Sequence, residues 1–134
     1  MEYGVGRRVF LSADLTVPIS SVVVDGVGLT SAQIELSYVD YASLTFYVKG
    51  NNAGCSKEVI FRFASYDAIR DQWDTSPYLQ ISVMANGAST VQYTVPLTPD
   101  VEKLKLLSVQ NQETTSGYTV DVNVSILLKN TVRG

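Results

Sequence analysis

From Val120 to Leu128 the apolar residues fall on alternate positions: Val120, Val122, Val124, Ile126 and Leu128. Asp121, Asn123 and Ser125 lie between them, with Leu127 as the exception. Successive side chains of a strand point to opposite faces, so this segment predicts one dry face and one mostly wet face. Valine and isoleucine favour such a pleated surface because branching at Cβ already restricts χ1. The pattern predicts a long strand near the middle of a sheet. The same period recurs upstream. Leu44, Phe46 and Val48 share one face of Ser43–Lys49, and Val59, Phe61 and Phe63 share one face of Glu58–Ser65. Ile34, Leu36 and Tyr38 alternate with Gln33, Glu35 and Ser37. Leu79, Ile81 and Val83, then Val91, Tyr93 and Val95, are expected to face inward. Shorter strands are expected at Arg7–Leu11, Leu15–Ile19, Ser21–Val24 and Lys105–Gln110.

The breaks between these runs carry turn chemistry. Asp25-Gly26 and Asn86-Gly87 are strong turn signals, since glycine accepts positive φ, and the second predicts a hairpin between its flanking strands. The loop Gly50–Lys57 predicts a hairpin between Ser43–Lys49 and Glu58–Ser65. Pro18 keeps its strand away from a central position or ends it. A helical turn over Asp100–Lys103 is expected after Pro99. Tyr66–Tyr78 is polar, studded with aromatics and closed by Pro77, and reads as an exposed excursion of the kind that carries contacts. The sum is an all-β chain: an antiparallel two-sheet β-sandwich, jelly-roll or Ig-like, with one short helical turn at most. Residues 1–8 read as a flexible N-terminal arm and 9–134 as one domain, with no internal repeat.

Composition narrows what such a domain can do. At 134 residues the chain is long enough to hold a core without staples, and its single cysteine, Cys55, can form no intrachain disulfide. The chain has no histidine, so neither a serine nor the Cys55 thiol has the usual activating base. No catalytic residue, cofactor or metal ligand is expected. Asp67, Asp71 and Asp74 lack the glycine and terminal glutamate of an EF-hand loop and read as solvated acids. The formal charge is −3, with ten basic residues scattered along the chain. That argues against nucleic acid as a partner, which calls for a basic stripe. No run is long enough to span a membrane, and no signal peptide opens the chain, so synthesis in a cytoplasm is expected.

Candidate contact residues are few. Tyr3, Arg7 and Arg8 in the arm belong either to a frayed terminus or to a segment that orders on a neighbouring subunit. Trp73, with Tyr66 and Tyr78 near it in sequence and Arg70 beside them, either caps the sandwich edge or forms a contact platform for a protein or a sugar. Leu127 interrupts the wet row of the last strand. If another subunit covers that face, Leu127 is the first contact expected.

From Leu44 onward the chain resembles a group of small phage virion proteins of β-sandwich type. The resemblance rests on Asn51-Asn52-Ala53-Gly54, Val59–Phe63, Gln72-Trp73-Asp74, Pro77-Tyr78, Asn86-Gly87, Lys103–Asn111 and Val120–Leu128. It covers about two-thirds of the chain. It implies a tailed-phage head decoration (cement) or related accessory virion protein, located in the virion and non-enzymatic. Its partners would be the major capsid protein, other virion proteins and further copies of itself, often as a trimer. The alternative, read from the residues, is a carbohydrate-binding β-sandwich module that stacks sugars on Trp73, Tyr66 and Tyr78.

Overall fold

A computed structural model describes residues 2–18 and 20–133, and the side chains of residues 6–18 and 20–130. Eleven strands are described: β1 (Glu2–Val17), β2 (Val22–Asp25), β3 (Gly28–Leu29), β4 (Gln33–Glu35), β5 (Tyr41–Gly50), β6 (Glu58–Asp67), β7 (Gln72–Trp73), β8 (Leu79–Met84), β9 (Thr90–Leu97), β10 (Lys103–Asn111) and β11 (Val120–Arg133). One sheet has the order β1-β11-β5-β9. In the other, β10 pairs with β2 and β4 on one side and β6 on the other, and β8 and β7 pair with β6. The chain enters the first sheet with β1, crosses to the second, and returns for β5, β9 and β11. A ribbon wrapped this way around two sheets is a jelly roll, which settles the choice left open against an Ig-like sandwich.

The wrapping overturns both expected hairpins. β5 and β6 lie in opposite sheets, as do β8 and β9, so neither pair shares a ladder. Alternation identifies which face of a strand is dry but not which strand lies beside it. The Asn86-Gly87 turn does form, with Gly87 at φ 61° and the Ser89 amide donating to the Asn86 carbonyl at 3.1 Å, but it carries the chain from one sheet to the other. β6 and β8 do share a ladder in the second sheet, and the Tyr66–Tyr78 excursion joins them.

Other expectations are corrected at element ends. Arg7–Leu11 and Leu15–Ile19 are not separate strands; β1 runs from Glu2 to Val17, and its register shifts twice, between Phe10 and Ser12 and between Ser12 and Leu15. Ile19 lies outside the described residues. From Glu2 the segment read as an arm is part of this strand, paired with the end of β11. The chain turns after Leu36, where the Val39 amide reaches back to the Leu36 carbonyl, so Tyr38 is 85% exposed and does not face inward. No helical turn follows Pro99: the Asp100 amide bonds to Thr98, and the Glu102 carbonyl accepts the Leu36 amide, leaving Lys103 to start β10.

β11 lies between β1 and β5, and its five alternate apolar residues are all buried. They meet Leu44, Phe46 and Val48 from β5 and, across the sandwich, Val59, Phe61, Phe63, Leu104 and Leu106. Phe46 joins the sheets, with ring centroids 4.7 Å from Phe61 and 6.1 Å from Phe63. Cys55 is buried against Gly50. A Cβ on Gly50 would stand 2.6 Å from the Cys55 Cβ, so the loop can close there only over a glycine.

Candidate interaction surfaces

The Tyr66–Tyr78 excursion is built from β6 outward. β7 folds back on the end of β6, pairing Trp73 with Tyr66 and Gln72 with Asp67. The two rings meet edge to face, with centroids 5.5 Å apart. Two lysines from the neighbouring β10 lie over them: the Lys103 ammonium is 4.6 Å from the Tyr66 ring centroid, and that of Lys105 is 4.8 Å from Trp73. A cation over an aromatic face is held by the ring quadrupole. Lys105 also pairs with Asp25 at 3.0 Å, tying β2 to the same cluster. The acids shape the turn. Asp67 accepts from the Ile69 and Arg70 amides and binds the Arg70 guanidinium at 2.8 Å, which holds its carboxyl below the usual range. Asp71 accepts from the Tyr66 hydroxyl, and Asp74 from Ser65. Tyr66 and Trp73 are thus brought together, whereas Arg70 pairs with Asp67 and Tyr78 joins a different loop.

The Tyr78 hydroxyl donates to Asp100, and its amide donates to the Phe63 carbonyl at 2.8 Å. Burial, then that hydrogen bond and the charge of Asp100, push the phenol from 10.0 up to about 12. Tyr66 is also raised, chiefly by its hydrogen bond to Asp71. A raised folded-state value means that any stability from Tyr78 is present below pH ~10 and lost as pH rises through about 12. In a tyrosinate absorbance titration of the folded protein, Tyr66 and Tyr78 should ionise late, with Tyr78 at the late end. Tyr78→Phe should delete the last phase, and Asp100→Asn should advance it only partly, because burial remains. A titration that shows no phase later than pH ~10, the ordinary phenol value, would refute this reading.

The outer face of the first sheet is the second surface. Arg7 and Arg8 point to opposite faces of β1 and do not act as a pair. Arg8 crosses to β11 and donates from its guanidinium to the Ser125 hydroxyl at 2.9 Å. Leu127 stands on this face between Arg8 and Ser43 in the register. It is half-buried and lines a shallow cavity of about 170 Å³ with Tyr41, Ser43 and Lys129. The bare backbone of Gly6 lies under its Cδ1. The side chain of Tyr3 lies outside the described residues. Next to Leu127 a groove of about 400 Å³ is lined by Phe10, Tyr47, Thr45, Thr94 and Ser125 among others. The sequence pattern marked Thr45 and Tyr47 as the outward face of a strand, but nothing local brings Phe10 beside them; that needs the β1-β11-β5 register.

Among the described residues no group of three or more His, Cys, Asp or Glu side chains is arranged to hold a metal ion, and no helix is long and apolar enough to cross a membrane. No family model matches the sequence, and no curated protein matches it. Solved structures do share the fold. A CBM4 carbohydrate-binding module is similar at a TM-score of 0.50 and 16% identity, over 83% of this chain and 66% of that one, just under two-thirds of its length. The CBM36-1 domain of a multidomain xylanase from the hindgut metagenome of Trinervitermes trinervoides has a TM-score of 0.50 and 9% identity, over 91% of this chain and 95% of that one. The PRD1 vertex protein P5 has a TM-score of 0.45 and 11% identity, over 95% of this chain and 96% of that one. At such identities the likeness to the two modules shows the jelly-roll fold alone.

Proposed function

We propose that this protein is a non-enzymatic structural component of a virion, one that decorates or cements a bacteriophage capsid through protein–protein contacts. The capsid lattice and further copies of the chain are its partners, and a trimer is the assembly implied by the resemblance of its second two-thirds to phage accessory proteins. The structural observation that carries this reading is the β1/β11 ribbon. Its pairs run from Val17↔Val120 to Glu2↔Arg133, whereas β5 ends its pairing with β11 at Tyr41↔Lys129. Among the described residues, the backbone from Glu2↔Arg133 to Val5↔Asn130 therefore forms two strands with no third beside them. A two-stranded ribbon is marginal on its own in water, and its free edges offer unpaired N–H and C=O groups to another chain. Tyr41 and Leu127 sit at the root of this ribbon and add apolar surface there. A neighbouring subunit that pairs with the ribbon and covers Leu127 would satisfy both.

Removing residues 2–5 and, separately, changing Leu127→Asp should each weaken self-association and binding to particles stripped of the protein. The far-UV spectrum and the urea midpoint should stay close to wild type, since Leu127 faces out of the core. Sedimentation velocity and co-sedimentation with particles read this directly. A wild-type chain that stays monomeric at high concentration and leaves particles in the supernatant would rule the proposal out.

A further inference from the structure

The groove on the outer face of the first sheet has a chemistry of its own. Pairing places Phe10, Ser125, Thr45 and Thr94 in one transverse row, from β1 across β11 and β5 to β9. Four strands at about 4.8 Å spacing make this row roughly 14 Å long. Its floor is made of small hydroxyl residues, and Ser125 is only 5% exposed although it faces outward. Phe10, 54% exposed, closes one end. In the next row Tyr47 stands beside Gln92 and forms a wall.

The polar groups of the groove have capacity to spare. Thr45 and Thr94 share one hydrogen bond of 2.9 Å, which leaves one hydroxyl proton and several lone pairs open to a ligand. Arg8 uses one guanidinium nitrogen on Ser125 and keeps further donors. Among the described residues no carboxylate lines the groove. Two aromatic rings, a floor of neutral donors and acceptors and a single cation make a poor site for nucleic acid, which needs a basic track. They also suit an apolar peptide badly, because it would strip the hydroxyls of water without replacing their bonds. The lining matches an uncharged ligand with many hydroxyls and apolar ring faces, bound in a preformed cleft.

We infer that this groove binds a neutral oligosaccharide, laid across the strands, with Tyr47 and Phe10 stacking on sugar faces and Arg8, Gln92 and the threonine pair hydrogen-bonding its hydroxyls. The site is distinct from Trp73, and the inference does not depend on a role in the virion. The purified full chain, applied to an array of neutral and acidic glycans, should retain neutral oligosaccharides. The best-retained neutral hexasaccharide, titrated calorimetrically, should bind about tenfold or more weakly to Tyr47→Ala and to Phe10→Ala. Tyr47→Phe should keep most of the affinity, because stacking needs the ring, and Trp73→Ala should bind as wild type does. Should Tyr47→Ala fail to fold, Gln92→Ala and Thr94→Val on the edge strand carry the same expectation of weakened binding. The inference is overturned if the array retains no neutral glycan, if only acidic glycans are held, or if Trp73→Ala abolishes binding while the groove variants bind normally. Particle binding by the groove variants should be unchanged, so failure here leaves the structural role untouched.

Discussion

Phe46→Ala should lower the unfolding free energy by about 3–5 kcal/mol, the largest single effect expected in this chain. Phe46 is 0% exposed and touches Phe61 and Phe63 of the opposite sheet, so its truncation opens a cavity where the two layers meet. Neither sheet can close that space without moving its ladder, and interiors packed this densely relax only in part. Urea denaturation should show a lower midpoint with an unchanged slope. Tyr93→Ala is the internal control. Tyr93 is the cross-strand partner of Phe46 on the same face, yet it lies on the edge strand β9 and is 47% exposed. It should cost well under half as much. Equal losses at the two sites would mean that the core does not centre on the Phe46 contacts.

Asn111→Leu should come next, at about 2–4 kcal/mol, through stranded backbone groups rather than lost volume. Asn111 is fully buried at the end of β10. Its amide nitrogen donates to the carbonyls of Val17 at 3.2 Å and Tyr118 at 3.3 Å, and its oxygen accepts the Glu113 amide at 3.0 Å. One side chain therefore pins the end of β1, the entry to β11 and the loop between β10 and β11. Glu113 extends the same corner. Its carboxylate accepts the Ser56 and Lys57 amides, each at 2.7 Å, and its carbonyl accepts both the amide and the hydroxyl of Ser20. Glu113→Gln retains an acceptor oxygen and should cost less than Asn111→Leu. Because Asn111 holds the Glu113 backbone amide and so positions the carboxylate that binds Ser56 and Lys57, the double variant should lose less than the sum of the two single losses. Hydrogen exchange supplies an independent reading: Glu113→Ala should speed exchange at the Ser56 and Lys57 amides. Unchanged protection there, or a neutral Asn111→Leu, would show that the corner is held by something else.

These two sites differ in how far the sequence announced them. The apolar rows of β5, β6 and β11 were legible because period-2 burial is a local property of a strand half-covered by a core. Asn111 falls just past the strand expected at Lys105–Gln110, and nothing in its neighbours shows that three backbone groups converge on it. The excursion from Tyr66 to Tyr78 was recognisable by composition, yet the lysines over its rings, Lys103 and Lys105, come from β10, far along the sequence. The Gly50 contact with Cys55 explains a small buried thiol that composition alone could only describe as unreactive.

By itself the sequence determined an all-β chain, the inward faces of its main strands, the turn at Asn86-Gly87 and the central place of Val120–Leu128. Those follow from side-chain alternation, β-branching and the conformational freedom of glycine, all of which act within a few residues. The tertiary structure alone decided which strands pair. It put β5 and β6 in opposite sheets, made the fold a jelly roll, extended β1 and β11 beyond the rest of their sheet, and lined up Phe10, Ser125, Thr45 and Thr94. Strand pairing is a contest among non-local partners whose edges all offer the same N–H and C=O groups, and it is won by the arrangement that buries every apolar face at once.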